Sequence, residues 1–367
     1  MTSPVTQNDS LPKTMAAVIC CAPRDYRLDE APVPQIGAGE VLVRVKTVGI
    51  CASDIKCYLG STVFWGDGTS PGYVQPPVIP GHEFVGEVVA LGAGAGEKYG
   101  LALGDLAISE QIVPCWNCRY CQRGQYWLCR QHDVYGFRQR TFGAMAEYMR
   151  FPADAINYKV PRTISPQEAV FIEPLACSIH AVERAEIQFG DIVVIAGAGP
   201  LGLGMIAAAR MKSPALLIAL DMSDARLEVA KRCGADLTFN PSRDDVIKEV
   251  LDLTEGYGCD IYIEATGHPA AVGQGLEMIR KRGTFVEFSV MKELSAVNWS
   301  IIGDGKELNI HGSSLSPHCY PIAIRMLEQK KLPMDAIVTH ALPLAQVQQG
   351  LDLVASGQSS IKVTLTP

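Results

Sequence analysis

Near residue 163 the chain changes its rhythm of apolar and polar positions, and the two halves predict different kinds of structure. Before that point the apolar runs are short and broken by Pro and Gly. AAVIC, YRLDEAPVP and EVLVRVKTVGIC predict an irregular, β-rich half. EFVGEVVALG, GDLAIS and AEYMRFPADAINYKVP continue it, with Gly, Pro, Asp and Asn at the turns. After Thr163, the helix-like stretch AVFIEPLACSIHAVERA leads into DIVVIAGAGPLGLGMIAAARMK, a buried strand running into a Gly-rich turn and a helix. Strands and helices then alternate as ALLIALD, ARLEVAKRCGA, DLTFN, DDVIKEVLDLT, CDIYIEAT, AAVGQGLEMIRK and GTFVEFS. This alternation predicts an α/β domain over about 164–311, built on a parallel, doubly wound sheet. Residues 1–13 read as a disordered polar tail and 14–163 as the β-rich half. Residues 312–367 are too short to fold alone and are expected to return to that half.

Composition narrows the function. A chain of 367 residues with 48% hydrophobic content can bury two cores. A net charge of -7 lacks the basic face that a nucleic-acid or anionic-membrane partner selects, so a small molecule is the expected partner. The polar N-terminus has no apolar signal segment, and no run reaches the roughly 18 apolar residues that span a bilayer. A cytoplasmic protein is expected, in which the 12 cysteines serve metal ligation and burial more readily than disulfides.

The dinucleotide signature is the first specific signal. Gly197, Gly199 and Gly202 stand in GAGPLG, directly after the strand VVIA and before an apolar helix. The spacing permits a tight turn, close approach of a pyrophosphate to the helix N-terminus and close helix packing. Asp221 ends the next strand, where a carboxylate accepts from ribose hydroxyls and repels a 2′-phosphate. NAD is therefore expected over NADP. Cys115, Cys118, Cys121 and Cys129 form C-x2-C-x2-C-x7-C in a polar loop, a spacing suited to a closed structural zinc. An iron–sulfur cluster is the competing reading, weakened by the missing Cys-Pro ending. Cys51, His82, Glu83 and Glu173 supply the donor types of a zinc with an open position for an alcohol oxygen. An alcohol bound there loses its proton near neutral pH, with Ser53 placed to relay it, and passes hydride to the nicotinamide.

GICASD, PGHEFVGEVV and EPLAC, with the four-cysteine loop and GAGPLG, resemble the zinc-containing medium-chain dehydrogenases over nearly the whole chain, in their sorbitol-dehydrogenase-like branch. The resemblance implies a GroES-like catalytic domain over 14–163 and 312–367, a structural-zinc lobe at 115–129 and a Rossmann NAD-binding domain over 164–311. It implies two zincs per chain and a homodimer or homotetramer. Cys51 and His82 match the usual ligand pair, and Glu83 matches the acid that ligates zinc in sorbitol-dehydrogenase-like members. Glu173 replaces the cysteine of liver-type alcohol dehydrogenases and reaches the metal directly or through water. Asp54 resembles the acid that orients a ligand. On the cofactor side the resemblance implies contacts from Pro200, Leu201, Arg226, Phe288, Ser289 and Val290, beside the three glycines and Asp221.

Three departures bear on the substrate. Lys56 occupies a place where many relatives carry a proton-relay histidine. Cys57 and Leu315 stand where sorbitol dehydrogenases carry a tyrosine and an arginine that touch the polyol. The expanded loop CYLGSTVFWGDGTSPGYVQPPVIP resembles that of bacterial dehydrogenases of four-carbon polyols, and its Phe64 and Trp65 either line the polyol site or pack the loop. The expected activity is reversible NAD-linked oxidation of a secondary hydroxyl of a small polyol, with erythritol or threitol giving erythrulose. A general secondary alcohol or diol dehydrogenase, or one for larger polyols such as sorbitol and xylitol, is the second reading. A zinc-ribbon binding protein is the distant third, opposed by the acidic balance.

Overall fold

The computed structural model describes Thr6–Gln7, residues 11–291 and residues 293–367. Of the tail expected over residues 1–13, 1–5 and 8–10 lie outside the described residues, and Thr6–Gln7 pairs antiparallel with Ala90 and Leu91. The chain divides into two units. One comprises the chain up to Glu173 with Tyr320–Glu328 and Val338–Pro367; the other comprises Pro174–Cys319 with Gln329–Ile337. Gln329–Ile337 thus parts company with its neighbours on both sides.

The first unit is organised around the strand Val41–Ile50, whose apolar residues Val41, Leu42, Val43, Val45 and Val48 are buried. A strand this apolar needs cover on both faces and neighbours on both edges. Its sheet runs in the order Asn157–Val160, Leu106–Ser109, Glu83–Leu91, Val41–Ile50, Lys362–Thr366, Val338–Pro343. The last segment of the chain therefore inserts beside the central strand. A separate hairpin joins Thr14–Ala22 to Asp25–Pro32, and Tyr148–Phe151 pairs with Val41–Ile50 where that strand is bulged.

The second unit holds a six-stranded sheet, all parallel, in the order Leu237–Phe239, Leu216–Leu220, Ile192–Ala196, Cys259–Glu264, Ile279–Glu287, Asn309–Gly312. In chain order this is 3-2-1-4-5-6, the dinucleotide-binding arrangement whose order reverses beside the first strand. Val194, Ile218, Tyr262 and Phe285 form its buried centre. One boundary differs from the sequence expectation. The helix read through IRK ends at Met278, and Ile279 already opens the next strand. Ile279 is β-branched and fully buried opposite Cys259, so burial in the sheet decides its conformation. No helix among the described residues is long and apolar enough to cross a membrane.

Candidate active site

Three strand ends meet in the first unit. Val41–Ile50 delivers Cys51; Glu83 opens the neighbouring strand opposite Gly49; Lys362 begins the strand on the other side, where Val363 lies opposite Ile50. Register thus joins residues far apart in the chain. One ligand atom each from Cys51, His82 and Glu83 lies within 4.8 Å of the other two. His82 and Glu83 are buried, and Cys51 is half-buried. A thiolate, an imidazole and a carboxylate converging in this way suit a catalytic zinc.

The helix Ala52–Tyr58 orients this set. Cys51 caps it, and Asp54 in its first turn accepts from the Cys51 N–H at 2.8 Å. The other Asp54 oxygen lies 3.5 Å from His82 Nδ1, while His82 Nε2 lies 3.3 Å from Ser53 Oγ. A carboxylate behind one ring nitrogen, leaving the other to a metal, is the common support of a ligating histidine. Burial works against a proton on His82, yet Asp54 and Cys51 outweigh it and hold its pKa well above the usual imidazole value. The surroundings favour positive charge.

Lys362 is a residue that the sequence reading does not single out. Its side chain is 2% exposed, its Nζ pairs with Glu83 Oε2, and it donates to the Ile50 carbonyl at 3.2 Å. Burial opposes its charge, but Glu83, Cys51 and Glu173 outweigh burial and raise its pKa. The only signal was a lysine among apolar positions in the closing run IKVTLTP. Glycine at 49 leaves room for the pair, since a Cβ there would collide with Glu83 and press on Lys362 Cε at 3.0 Å. Glu173 is buried in the first turn of the helix Ile172–Ala185 and stands outside the three-residue ligand set, though its charge reaches Lys362.

The aromatic pair of the expanded loop packs inward. Phe64 is buried and stacks on Phe137 at 5.0 Å, and Phe137 lies 5.5 Å from the His82 ring. Trp65 donates from Nε1 to the Cys57 carbonyl at 2.7 Å. Phe137, unnoticed in the sequence, thus connects the loop to His82. Cys57 is buried against Cys20 and Tyr26, Lys56 is half-buried on the same helix, and Leu315 lies in the second unit with φ +54°.

Cys115, Cys118, Cys121 and Cys129 also converge, with every sulfur within 4.8 Å of the others and Cys118 Sγ 3.6 Å from Cys121 Sγ. Zinc–sulfur bonds of about 2.3 Å in a tetrahedron place sulfurs roughly 3.8 Å apart, so the set fits one ion. A four-iron cluster, with a different iron behind each sulfur, holds them farther apart. Backbone N–H groups of Cys121 and Arg130 lower the Cys118 thiol to about 6, whereas burial, with Cys118 next, pushes Cys121 up to about 12. The lobe is tied down by Trp116, which donates to the Asp154 carbonyl at 2.8 Å.

In the second unit the expected cofactor residues gather at the carboxyl edge of the parallel sheet. Gly197 follows the strand Ile192–Ala196 with φ +103°, and a Cβ there would meet the Ala265 carbonyl at 2.7 Å. A Cβ on Gly202 would collide with the Gly197 carbonyl, whereas one on Gly199 meets nothing within 4 Å. Gly197 and Gly202 are demanded by the turn itself; Gly199 faces open space beside the N-terminus of the helix Pro200–Arg210, where a pyrophosphate fits. Pro200 and Leu201 begin that helix. Asp221 directly follows the adjacent strand Leu216–Leu220, held by N–H donation from Ala198 at 2.7 Å and Ser223 at 2.8 Å. Arg226 follows on the helix Asp224–Cys233, and Phe288, Ser289 and Val290 follow the strand Ile279–Glu287 at the same edge.

A dinucleotide-binding parallel sheet joined to a β-rich unit with a Cys/His/Glu set and a four-cysteine lobe places the chain in the zinc-binding alcohol dehydrogenase family, to which it belongs. Family models agree: residues 37–162 match the alcohol dehydrogenase GroES-like domain and 200–329 the zinc-binding dehydrogenase domain. The chain is 56% identical over 360 residues to the erythritol/L-threitol dehydrogenase of Mycolicibacterium smegmatis, covering 98% of this chain and 99% of that protein. It is 35% identical to the L-threonine 3-dehydrogenase of Pyrococcus horikoshii, covering 90% of this chain and 92% of that one. An alcohol dehydrogenase from E. coli CFT073, solved in complex with NADH, has a similar structure, with a TM-score of 0.84 at 28% identity over 97% of this chain and 100% of that one. The chain is a zinc alcohol dehydrogenase-type oxidoreductase acting on a small-molecule alcohol.

Proposed function

We propose that this protein reversibly oxidises a secondary hydroxyl of a four-carbon polyol, erythritol or L-threitol, to erythrulose, with NAD as the hydride acceptor. The end-to-end 56% identity to an enzyme of that name carries the reading. The convergence of Cys51, His82 and Glu83, with Glu173 close in charge, supports a polyol over a plain alcohol. Carboxylates at the site accept from neighbouring hydroxyls, and a substrate lacking them leaves a buried acceptor unpaired at a cost of about 1–3 kcal/mol. Phe137 beside His82, backed by Phe64, supplies an apolar limit that favours a short chain.

We assign one zinc to Cys51, His82 and Glu83, with Glu173 at its edge, and a second to Cys115, Cys118, Cys121 and Cys129. A bound zinc in the first set supplies the Lewis acidity that brings an alcohol pKa towards neutrality. The chain's own residues do the rest. Asp54 fixes the His82 ring, Ser53 stands beside it to take the proton outward, and Lys362 holds Glu83. Asp221, anchored by two backbone N–H groups, keeps acceptor capacity for ribose hydroxyls and repels a 2′-phosphate, which favours NAD over NADP. We place the protein in the cytoplasm as a homodimer or homotetramer.

The test is kcat/KM for erythritol, both threitol enantiomers, xylitol, sorbitol and butanol, each with NAD and NADP. A tetritol with NAD is expected to lead. Sorbitol or butanol ahead of every tetritol would refute the substrate assignment, and preference for NADP would refute that of Asp221.

A further inference from the structure

A third convergence of metal-ligating side chains lies in the second unit, apart from the two sets described above. His180 and Glu183 are three residues apart on the helix Ile172–Ala185 and share one of its faces. Cys319 ends a turn in which its N–H donates to the Ser316 carbonyl at 3.2 Å. One ligand atom each from His180, Glu183 and Cys319 lies within 4.8 Å of the other two. Cys319 Sγ stands 3.7 Å from Glu183 Oε2. A tetrahedral zinc with bonds of about 2.3 Å to sulfur and 2.1 Å to oxygen separates those atoms by about 3.6 Å. His180 and Cys319 are buried and Glu183 is exposed, so an ion enters from the carboxylate side.

We propose that His180, Glu183 and Cys319 form a further zinc-binding site, which clasps the helix Ile172–Ala185 to the turn at 316–319. A thiolate with an imidazole and a carboxylate selects zinc over magnesium or calcium, which take oxygen ligands. The thiolate and the carboxylate together balance the charge of the ion. The Arg184 guanidinium is engaged elsewhere, with Nε donating to the Gly312 carbonyl at 3.0 Å. Three ligands hold an ion less tightly than the four cysteines do, so this zinc exchanges more readily.

The experiment is the metal content of the full chain after equilibration with excess zinc and gel filtration, compared between wild type and C319S. The variant is expected to hold one zinc fewer. The comparison is by difference, so it stands whether or not the other two sets hold zinc. E183Q, a change at an exposed position, is expected to weaken one class of bound zinc by about tenfold or more in a chelator-competition titration. Equal zinc content in folded C319S overturns the site; if C319S does not fold, an unchanged E183Q titration overturns it.

Discussion

The four-cysteine lobe and the Cys51–His82–Glu83 set both gather metal-ligating side-chain types in the same unit, yet the chain builds them in opposite ways. The lobe draws all four sulfurs from residues 115–129, and short turns bring them together. The other set is assembled from the ends of separate strands, and its buried cation comes from residue 362. A local constellation depends on its metal for its shape. An assembled one depends on the sheet, and the sheet exists whatever the ion does. Loss of metal should therefore unfold the lobe but leave the strand-end geometry standing.

The largest expected effect comes from breaking the lobe. Cys118→Ser removes a ligand from a segment with little core of its own, and zinc binding in comparable small domains is worth roughly 10–16 kcal/mol, so a large part of the lobe's stability goes with it. Metal analysis is expected to show one zinc fewer than in wild type, with a lowered Tm. Unchanged stoichiometry would show that the lobe holds no ion.

Lys362→Met comes next. With no ion at the Cys51–His82–Glu83 set it leaves Glu83 buried without a cation, and removing one partner of a buried pair costs about 3–5 kcal/mol. Denaturant unfolding measures the loss. The four-cysteine zinc is expected to stay, and if it leaves as well, the two centres are not independent. Asp54→Asn is smaller, because His82 keeps its place just before the strand Glu83–Leu91 and loses only the anionic support of its ring. Metal affinity at the assembled set is expected to fall by about 10- to 100-fold, read by chelator competition. The smallest effect belongs to another local constellation. Asp221→Ser is expected to narrow the preference for NAD over NADP by about tenfold in kcat/KM, without moving zinc content. A changed zinc content would mean that the cofactor edge and the metal sets are structurally coupled.

The same contrast explains what was legible in the sequence. The four cysteines and GAGPLG declare themselves through spacing, because their geometry is set within a few turns of backbone. Cys51, His82 and Glu83, which the structure brings together, stand out through the wording around them, whereas Lys362 and Phe137 carry no such wording. Their roles come from strand register and ring packing, which no local window contains. The helix end at Met278 was misplaced for a related reason: Ile279 belongs to the sheet because of its partner at Cys259. Phe64 and Trp65 divide between the two readings: Trp65 bonds to the Cys57 carbonyl of its own loop, whereas Phe64 stacks on Phe137, which lies beside the His82 ring.

The partnership of Lys362 with the Ile50 carbonyl spans 312 residues of chain, and the whole second unit is synthesised in between. Domains fold largely in the order in which they leave the ribosome. Here the order is inverted, since the dinucleotide sheet can close while the earlier, β-rich unit still lacks the strand that supplies its buried cation. On a nascent chain halted before that strand, Glu83 lacks its counter-charge. The cofactor cradle is thus expected to become protease-resistant before the metal-ligand set does.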